Sequence, residues 1–344
     1  MAGVARSLPS SAITVESFPE NKRVSPDIPD RFFERRMFTD GLLSLPDGKQ
    51  LPYWGFEDPV NAAGVKAFPS PLIRMREGET SQVRLELRKQ NAAAKSAVAC
   101  NATDGMRYST FDTQMYQWKP RASGTWLYQS HKSSPHDFEM GLYGLLVVDP
   151  APDAAGRPLA FRNGPSYDTE KIWILDDVDP NWHDASRHEN ALGSVTAEQI
   201  FDPKYFLVNG VANTQAPRHA DVAVTARAGE KVLIRLLNAS FSIVKITLEH
   251  FHGSIVSVDG TAIDTQANPW ASWIPLIPDR PLIMATGSRH DLLIDLDPLK
   301  NPAVAGKPYR IVFEFLDLAR RSLRNATSPN ALHIGRVETT ITVS

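Results

Sequence analysis

The chain has 344 residues, of which 42% are hydrophobic and 22% are charged, a composition typical of a globular protein with about two domains. Its 37 basic and 39 acidic residues give a net charge of −2 without any basic block, which argues against nucleic acid or an anionic membrane surface as a partner. No uninterrupted apolar stretch approaches the ~18 residues of a membrane-spanning helix.

The amino terminus and the cysteine content leave the compartment open. Residues 1–15 lack the apolar core of a signal peptide, which fits either a cytosolic protein or a processed chain with an added start methionine. Cys100 is the single cysteine, so no intrachain disulfide is expected. Residues 1–30 are rich in Pro, Ser and charged residues and predict an extended arm.

After the arm, short apolar runs are separated by Gly, Pro, Asn and Asp, and almost nothing follows a helical period. Many short strands with turns between them are typical of sandwiches and barrels. The predicted strands are Val83–Leu87, Met115–Trp118, Leu142–Val148, Lys171–Leu175, Val232–Leu237, Ile243–Leu248, Ile255–Val258, Leu292–Ile294 and Ile311–Phe315.

A repeated segment predicts two units of the same kind. Each copy combines a glycine turn with an alternating strand that has Val or Ile and Leu on one face and Arg on the other. The copies are Arg76-Glu77-Gly78-Glu79 with Val83-Arg84-Leu85, and, at an offset of 151 residues, Arg227-Ala228-Gly229-Glu230 with Ile234-Arg235-Leu236. An offset of this length favours a duplicated domain over a solenoid. We therefore expect an arm over 1–30, a first domain over 31–150, a linker over 151–168 and a second domain over 169–344.

Three groups of residues resemble the multicopper oxidase family. The most specific is 123–150, where Ser-Gly-Thr-Trp-Leu-Tyr-Gln-Ser-His is followed by Gly-Leu-Tyr-Gly-Leu-Leu-Val-Val-Asp-Pro, as at the end of the family's first domain. Residues 68–79 resemble the opening of that domain, and the second domain is matched by Phe206-Leu207-Val208-Asn209-Gly210, Arg235-Leu236-Leu237-Asn238-Ala239-Ser240 and Val258-Asp259-Gly260. The resemblance implies an all-β fold of two tandem cupredoxin-like Greek-key β-sandwich domains. It also implies a periplasmic or extracellular location, copper sites, and substrate oxidation coupled to oxygen reduction.

Most ligands of a trinuclear copper cluster are missing from the sequence. Such a cluster needs several imidazoles, which the family supplies as His-x-His pairs. Residues 1–130 contain no histidine, so the first pair is absent, and Gln129 replaces the first histidine of the second pair, leaving His131. The chain also lacks the His-Cys-His motif of a copper-bearing last domain. No complete cluster is therefore expected in this chain or in a homo-oligomer of it.

A type 1 copper site needs a cysteine thiolate, two histidines and often an axial methionine. In the family pattern Ser130 stands at the thiolate position, Asp137 or His136 at the second histidine, and Met140 at the axial ligand. We expect no blue-copper centre. The same pattern predicts that Gln129 points inward toward the domain interface, where a buried amide needs hydrogen-bond partners.

Weaker candidate metal sites remain. His131, His136 and Met140, with Asp137 and Glu139, fall within ten residues and form a candidate mononuclear site, although the favoured interpretation is that His131 fills a vacated pocket while His136 and Asp137 lie on a polar loop. His250 and His252 are spaced to chelate a metal, although a histidine-containing turn without copper is favoured. The three carboxylates of Asp176, Asp177 and Asp179 suit a hard cation, although a solvated turn is favoured.

The favoured function is that of a multicopper oxidase-like protein with no cofactor or a single copper ion, acting as a binding or structural module or as a redox-partner protein. Its partner would be another copy of the chain, a redox protein or a cell-envelope assembly. One alternative is a mononuclear copper-dependent oxidoreductase that uses the cluster from His131 to Met140. Another is a partial oxidase completed by another chain. No catalytic residue is assigned, and whether the chain is an enzyme stays open.

Overall fold

The computed structural model describes residues 16–17, 28–62, 64–87, 113–130, 136–185, 201–212, 216, 219–268, 270–278, 280–316 and 333–344. The fold is nearly all β, with 52% strand and 4% helix, which confirms the predicted class. Each predicted strand overlaps an observed one. The strands are β1 (Glu16–Ser17), β2 (Arg31–Ser44), β3 (Gln50–Glu57), β4 (Ser70–Arg76), β5 (Ser81–Leu87), β6 (Thr113–Trp118), β7 (Gly124–Gln129), β8 (Tyr143–Asp149), β9 (Thr169–Val178), β10 (Tyr205–Val208), β11 (Val211–Ala212), β12 (Val224–Ala226), β13 (Lys231–Asn238), β14 (Ile243–Leu248), β15 (Gly253–Val258), β16 (Thr261–Ala262), β17 (Ile274–Leu276), β18 (Leu282–Met284), β19 (Arg289–Asp295), β20 (Pro308–Leu316) and β21 (His333–Val343).

Two short helices accompany the strands, α1 (His136–Glu139) and α2 (Pro180–Ala185). No helix among the described residues is long and apolar enough to cross a membrane. The arm predicted over 1–30 lies mostly outside the described residues, but β1 within it pairs antiparallel with β6. Cys100 and His131 also lie outside the described part of the chain.

The first sandwich consists of two sheets. One has the strand order β1-β6-β5-β2-β3, and the other has the order β4-β8-β7. Alternating apolar side chains from facing strands fill the space between them, because every second residue of a strand points to the same face. This core includes Ile73, Met75, Val83, Leu146 and Val148.

The second sandwich is larger. Its first sheet runs β11-β10-β9-β13-β19-β15-β16, with β17 added to β15, and its second sheet runs β12-β21-β20-β14-β18. The core between these sheets contains Trp173, Ile234, Ile246, Phe313 and Phe315, all almost completely buried.

The two copies of the sequence repeat occupy matching places. Gly78 and Gly229 both lie in turns with positive φ, at 81° and 86°, and each turn leads into a central strand. β5 pairs parallel with β2 and antiparallel with β6, while β13 pairs parallel with β9 and antiparallel with β19. The prediction of a glycine turn feeding a sandwich strand is confirmed in both copies.

The predicted linker is packed against both sandwiches. A bridge joins Leu159 to Ser166, and Ala160 and Phe161 are buried against Leu233, Val256 and Leu293 of the second sandwich. On the other side, the Arg162 amide donates a hydrogen bond of 2.8 Å to the hydroxyl of Ser123, just before β7. The segment therefore contacts both sandwiches.

Candidate functional site

The segment that resembles a copper-binding block forms one end of the first sandwich, at the carboxyl end of β7. It leaves β7 at Gln129, forms α1 and returns in β8. Backbone hydrogen bonds from Ser130 to Leu142 (2.9 Å), from Leu142 to Asp137 (3.0 Å) and from Met140 to His136 (2.9 Å) hold it in place. The side chains on α1 are therefore fixed relative to those at the end of β7.

Two of the predicted ligand positions are bonded to each other. The Ser130 hydroxyl donates a hydrogen bond of 2.6 Å to Oδ2 of Asp137, whose side chain is buried. Asp137 Oδ1 has no hydrogen-bond partner among the described residues. A short hydroxyl–carboxylate bond is a strong, charge-assisted interaction. It occupies the place where the family pattern puts the thiolate and an imidazole.

His136 and Met140 have largely apolar surroundings, and both lie beside Trp54. The His136 ring packs between Trp54 (5.3 Å between ring centroids) and Trp182 (6.4 Å), so it does not lie on a polar loop. Burial, opposed in part by the charge of Asp137, lowers the pKa of His136 and favours the neutral imidazole. Met140 is fully buried with Met37, Phe56 and Leu142.

The prediction that Gln129 is buried is wrong, because its side chain is exposed. The face of β7 that carries Gln129 does point toward the second sandwich, but only over the first part of the strand. Thr125 and Leu127, on the same face of β7, do pack toward the second sandwich, Thr125 against Asp291 and Leu127 in a cluster with Ile174. Burial declines along β7, so the strand leaves this interface before it reaches position 129.

The carboxylates at the end of β9 are buried, so the interpretation of a solvated turn is wrong. Asp176 accepts a hydrogen bond from the Tyr143 hydroxyl of β8. Asp177 accepts hydrogen bonds from the Phe241 amide at 2.8 Å and from the Ser242 hydroxyl. Each carboxylate is thus satisfied by a protein donor, as burial requires.

Asp179 and Glu139 join the two short helices. Asp179 caps α2 by accepting from the Asn181 amide (2.8 Å) and also accepts from the Asp202 amide (2.7 Å). Glu139 Oε1 accepts from the Asp179 amide (2.9 Å) and lies 3.4 Å from Nε2 of His183 on α2. The sequence predicts neither a role for His183 nor a contact of Glu139 with α2. No motif or spacing near Glu139 or His183 indicates that they lie together.

Burial also changes the protonation of this acidic cluster. It raises the pKa of Glu139 and of Asp176 well above the ordinary range, with neighbouring carboxylates adding to the effect. Burial likewise raises the pKa of Asp177 to about 6, although its hydrogen bonds oppose the shift. Among the described residues no group of three or more His, Cys, Asp or Glu side chains is arranged to hold a metal ion.

His250 and His252 lie in the connection between β14 and β15, in different surroundings. Nε2 of His250 is 2.6 Å from the Pro302 carbonyl oxygen, and the ring stacks on Tyr309 at 4.0 Å. His252 is exposed, and its backbone amide bonds to Asn301 at 2.7 Å. Chelation by this pair stays a prediction; with Nε2 held by the carbonyl, Nδ1 would be the nitrogen of His250 that binds the metal.

Known proteins resemble the chain in sequence over part of its length and in fold, although no family model matches it. Copper resistance protein A of Pseudomonas syringae pv. tomato is 28% identical over 152 residues, covering 39% of this chain and 23% of that protein. The Escherichia coli protein of the same name is 28% identical over 168 residues, covering 42% of this chain and 25% of that protein. The blue copper oxidase of Nitrosomonas europaea has the same fold, with a TM-score of 0.59 and 18% identity over 91% of this chain and 86% of that one. The chain has a multicopper oxidase-like fold.

This multicopper oxidase-like chain spans about a quarter of the length of the curated relatives it matches. Its fold is also that of a copper nitrite reductase from Nitrosomonas europaea, with a TM-score of 0.53 and 15% identity over 91% of this chain and 93% of that one.

The described residues at the multicopper oxidase-like ligand positions do not fit a type 1 copper ion. Such an ion needs a thiolate sulfur, and Ser130 offers a hydroxyl already bonded to Asp137. Met140 is in place as a soft ligand, but its surroundings are apolar side chains. No chemical step through a blue-copper centre follows from this arrangement.

Proposed function

We propose that this multicopper oxidase-like chain is a copper-free or copper-poor cupredoxin protein that serves as a binding or structural module, or as a partner of a redox protein. The supporting observation is the hydrogen bond of 2.6 Å from Ser130 to Asp137. It replaces a pair of metal ligands with a hydroxyl and a carboxylate that stabilise each other. Such a pair stabilises the fold but offers copper no thiolate or imidazole, so it supports a role that does not depend on copper chemistry.

The contacts between the two sandwiches support a structural role. Buried polar residues from both sandwiches pair across the junction, including Glu139 with the Asp179 amide and Tyr143 with Asp176. Such pairing favours one relative arrangement of two sheets, because misplacing either side would leave buried polar groups unsatisfied. A module of fixed shape suits a second copy of the chain, a redox protein or a cell-envelope assembly as partner, in the periplasm or outside the cell.

Copper loading tests this proposal. We expect the chain, after incubation with Cu(II) and gel filtration, to carry less than one copper per chain by mass spectrometry of the metal. We also expect no intense absorption band near roughly 600 nm, because a thiolate ligand is required for that band. Oxidation of phenols or metal ions by oxygen should not exceed that of free copper at the same concentration.

Other outcomes would favour the alternatives. An intense blue band would show that Cys100 reaches a copper ion and would contradict the proposal. One tightly held copper per chain, lost in His136→Ala and retained in His250→Ala, would instead favour the mononuclear oxidoreductase. Turnover that appears only when a second, histidine-rich chain is added would favour a partial oxidase. Gln129→His alone should restore no turnover, since residues 1–130 supply no other histidine.

A further inference from the structure

A cleft of about 1110 Å³ lies at the opposite end of β7 from Ser130. Its walls are the turn between β4 and β5, the turn between β6 and β7, and the segment 151–166 that connects the two sandwiches. Gln266, from the second sandwich, completes the lining. The volume is that of a small-molecule site, and clefts where domains meet are common places for such sites.

Hydrogen bonds within the chain hold the walls of the cleft in place. The Gly78 amide donates a hydrogen bond of 2.8 Å to the Pro120 carbonyl oxygen, which joins the two turns of the first sandwich. The Arg162 amide is anchored on the Ser123 hydroxyl, and the neighbouring Phe161 side chain is buried. A ligand would therefore meet a preformed surface, which reduces the entropy cost of binding.

Four cationic side chains and two carboxylates line this cleft. Both carboxylates are already used: Glu77 accepts two hydrogen bonds from the guanidinium of Arg162, and Asp153 accepts one of 2.8 Å from Nε of Arg157. Asp153 also accepts from the backbone amides of Ala155 and Arg157.

The remaining two cations have no acidic partner among the described residues. Lys119 and Arg121 are exposed at the turn between β6 and β7, and neither has a carboxylate partner in the part of the chain that the structure describes. The cleft is thus a locally positive surface on a chain whose net charge is −2. A positive concavity of this kind concentrates anions.

We propose that this cleft binds a small anion with two or more carboxylate or phosphate groups. Arg121 offers a planar fork of donors suited to one such group, and Lys119 adds a point charge for a second. Arg157 and Arg162, whose charges are balanced by Asp153 and Glu77, line the cleft beside them. The proposal does not depend on whether the chain binds copper.

Calorimetric titration of the metal-free, full-length chain tests the proposal, with citrate and pyrophosphate as probes at constant ionic strength. We expect saturable binding of at least one probe, and the comparison of the two separates carboxylate from phosphate preference. Arg121→Glu and Lys119→Glu should each weaken binding at least about tenfold, because each removes a charged hydrogen-bond donor. Arg121→Gln should weaken it less.

Arg280→Glu is the matched control, because it makes the same charge change at an exposed residue that does not line the cleft. Its affinity should equal that of the unaltered chain. The proposal is overturned if neither probe gives saturable binding, or if Arg280→Glu weakens binding as much as Arg121→Glu. Because copper is absent throughout, this result is independent of the copper-loading experiment.

Discussion

Thr125 in β7 donates a hydrogen bond of 2.5 Å to Oδ1 of Asp291 in β19, joining the first sandwich to the second. The same hydroxyl accepts from Nη1 of Arg235 in β13 at 3.0 Å, and Arg235 also pairs with Asp291 at 3.3 Å and with Glu170 at 2.7 Å. Arg74 of β4 extends the network by pairing with Glu170 across the junction. The side chains of Arg235 and Asp291 are completely buried.

Arg235→Met should lower the free energy of unfolding by about 3–5 kcal/mol, since it leaves the buried Asp291 without its cation. The double variant Arg235→Met with Asp291→Leu should recover part of this loss, because no buried charge then lacks a partner. Urea titration followed by circular dichroism measures both. Arg280→Met, at an exposed position, should stay within about 0.5 kcal/mol of the unaltered chain. A loss as small as this for Arg235→Met would contradict the role of the network.

Ser130→Ala should destabilise the fold by about 1–3 kcal/mol, because the buried Asp137 carboxylate loses its donor. Ser44→Ala, at an exposed position of β2, is the matched control and should change little. Gln129→Leu should also stay within about 0.5 kcal/mol, because the Gln129 side chain is exposed. Thermal or urea unfolding of the three variants provides the comparison. Equal effects of Ser130→Ala and Ser44→Ala would count against the bond.

The contribution of Asp177 to stability should fall as pH rises from about 4 to about 6. In the folded chain the pKa of Asp177 is raised to about 6 from an ordinary value of 3.8, so the folded state binds more protons in this interval than the unfolded state does. This stabilisation by Asp177, about 3 kcal/mol, is fully present below pH 4 and is lost as the pH rises through 6. Urea midpoints measured across this interval test it. Asp177→Asn, which does not titrate, should remove this contribution and shift the slope by that amount, while Glu139 and Asp176, whose pKa burial also raises, continue to act in the same direction. A slope identical to that of the unaltered chain would refute the assignment.

Gly210→Ala should destabilise the chain more than Gly229→Ala. Both glycines have positive φ, at 74° and 86°, where an alanine is strained by about 1–2 kcal/mol. A Cβ at 210 would lie 2.1 Å from the Phe68 carbonyl oxygen of the first sandwich, whereas a Cβ at 229 would meet nothing within 4 Å. The difference between the two variants in urea midpoint isolates the packing of the β10–β11 turn against the first sandwich. Equal losses would show that this close approach is relaxed at little cost.

Much of the fold could be predicted because its signals are local. Alternation of apolar residues specifies strands such as Ile243–Leu248, which is observed with the same bounds. Gly78 and Gly229 predicted turns because positive φ is easy only for glycine. The place of the candidate site was also predictable in part, since Ser130 and Asp137 were singled out together and are bonded to each other. Their bond itself was not expected, because the family pattern names the ligands that were lost and not what replaces them.

The sequence by itself determined that this chain forms β-sandwiches and that Ser130 provides no thiolate, since backbone preference and side-chain chemistry belong to each residue. Only the tertiary structure decided which polar residues are buried and what satisfies them. Asp177 is buried because Ser242 and its neighbours pack over the end of β9, and Gln129 is exposed because β7 leaves the interface there. The partners of Arg235 are 56, 65 and 110 residues away along the chain, in Asp291, Glu170 and Thr125. Such pairings depend on which distant strands are brought face to face, and the physical reason is that burial and hydrogen bonding are properties of the assembled sheets and not of any one strand.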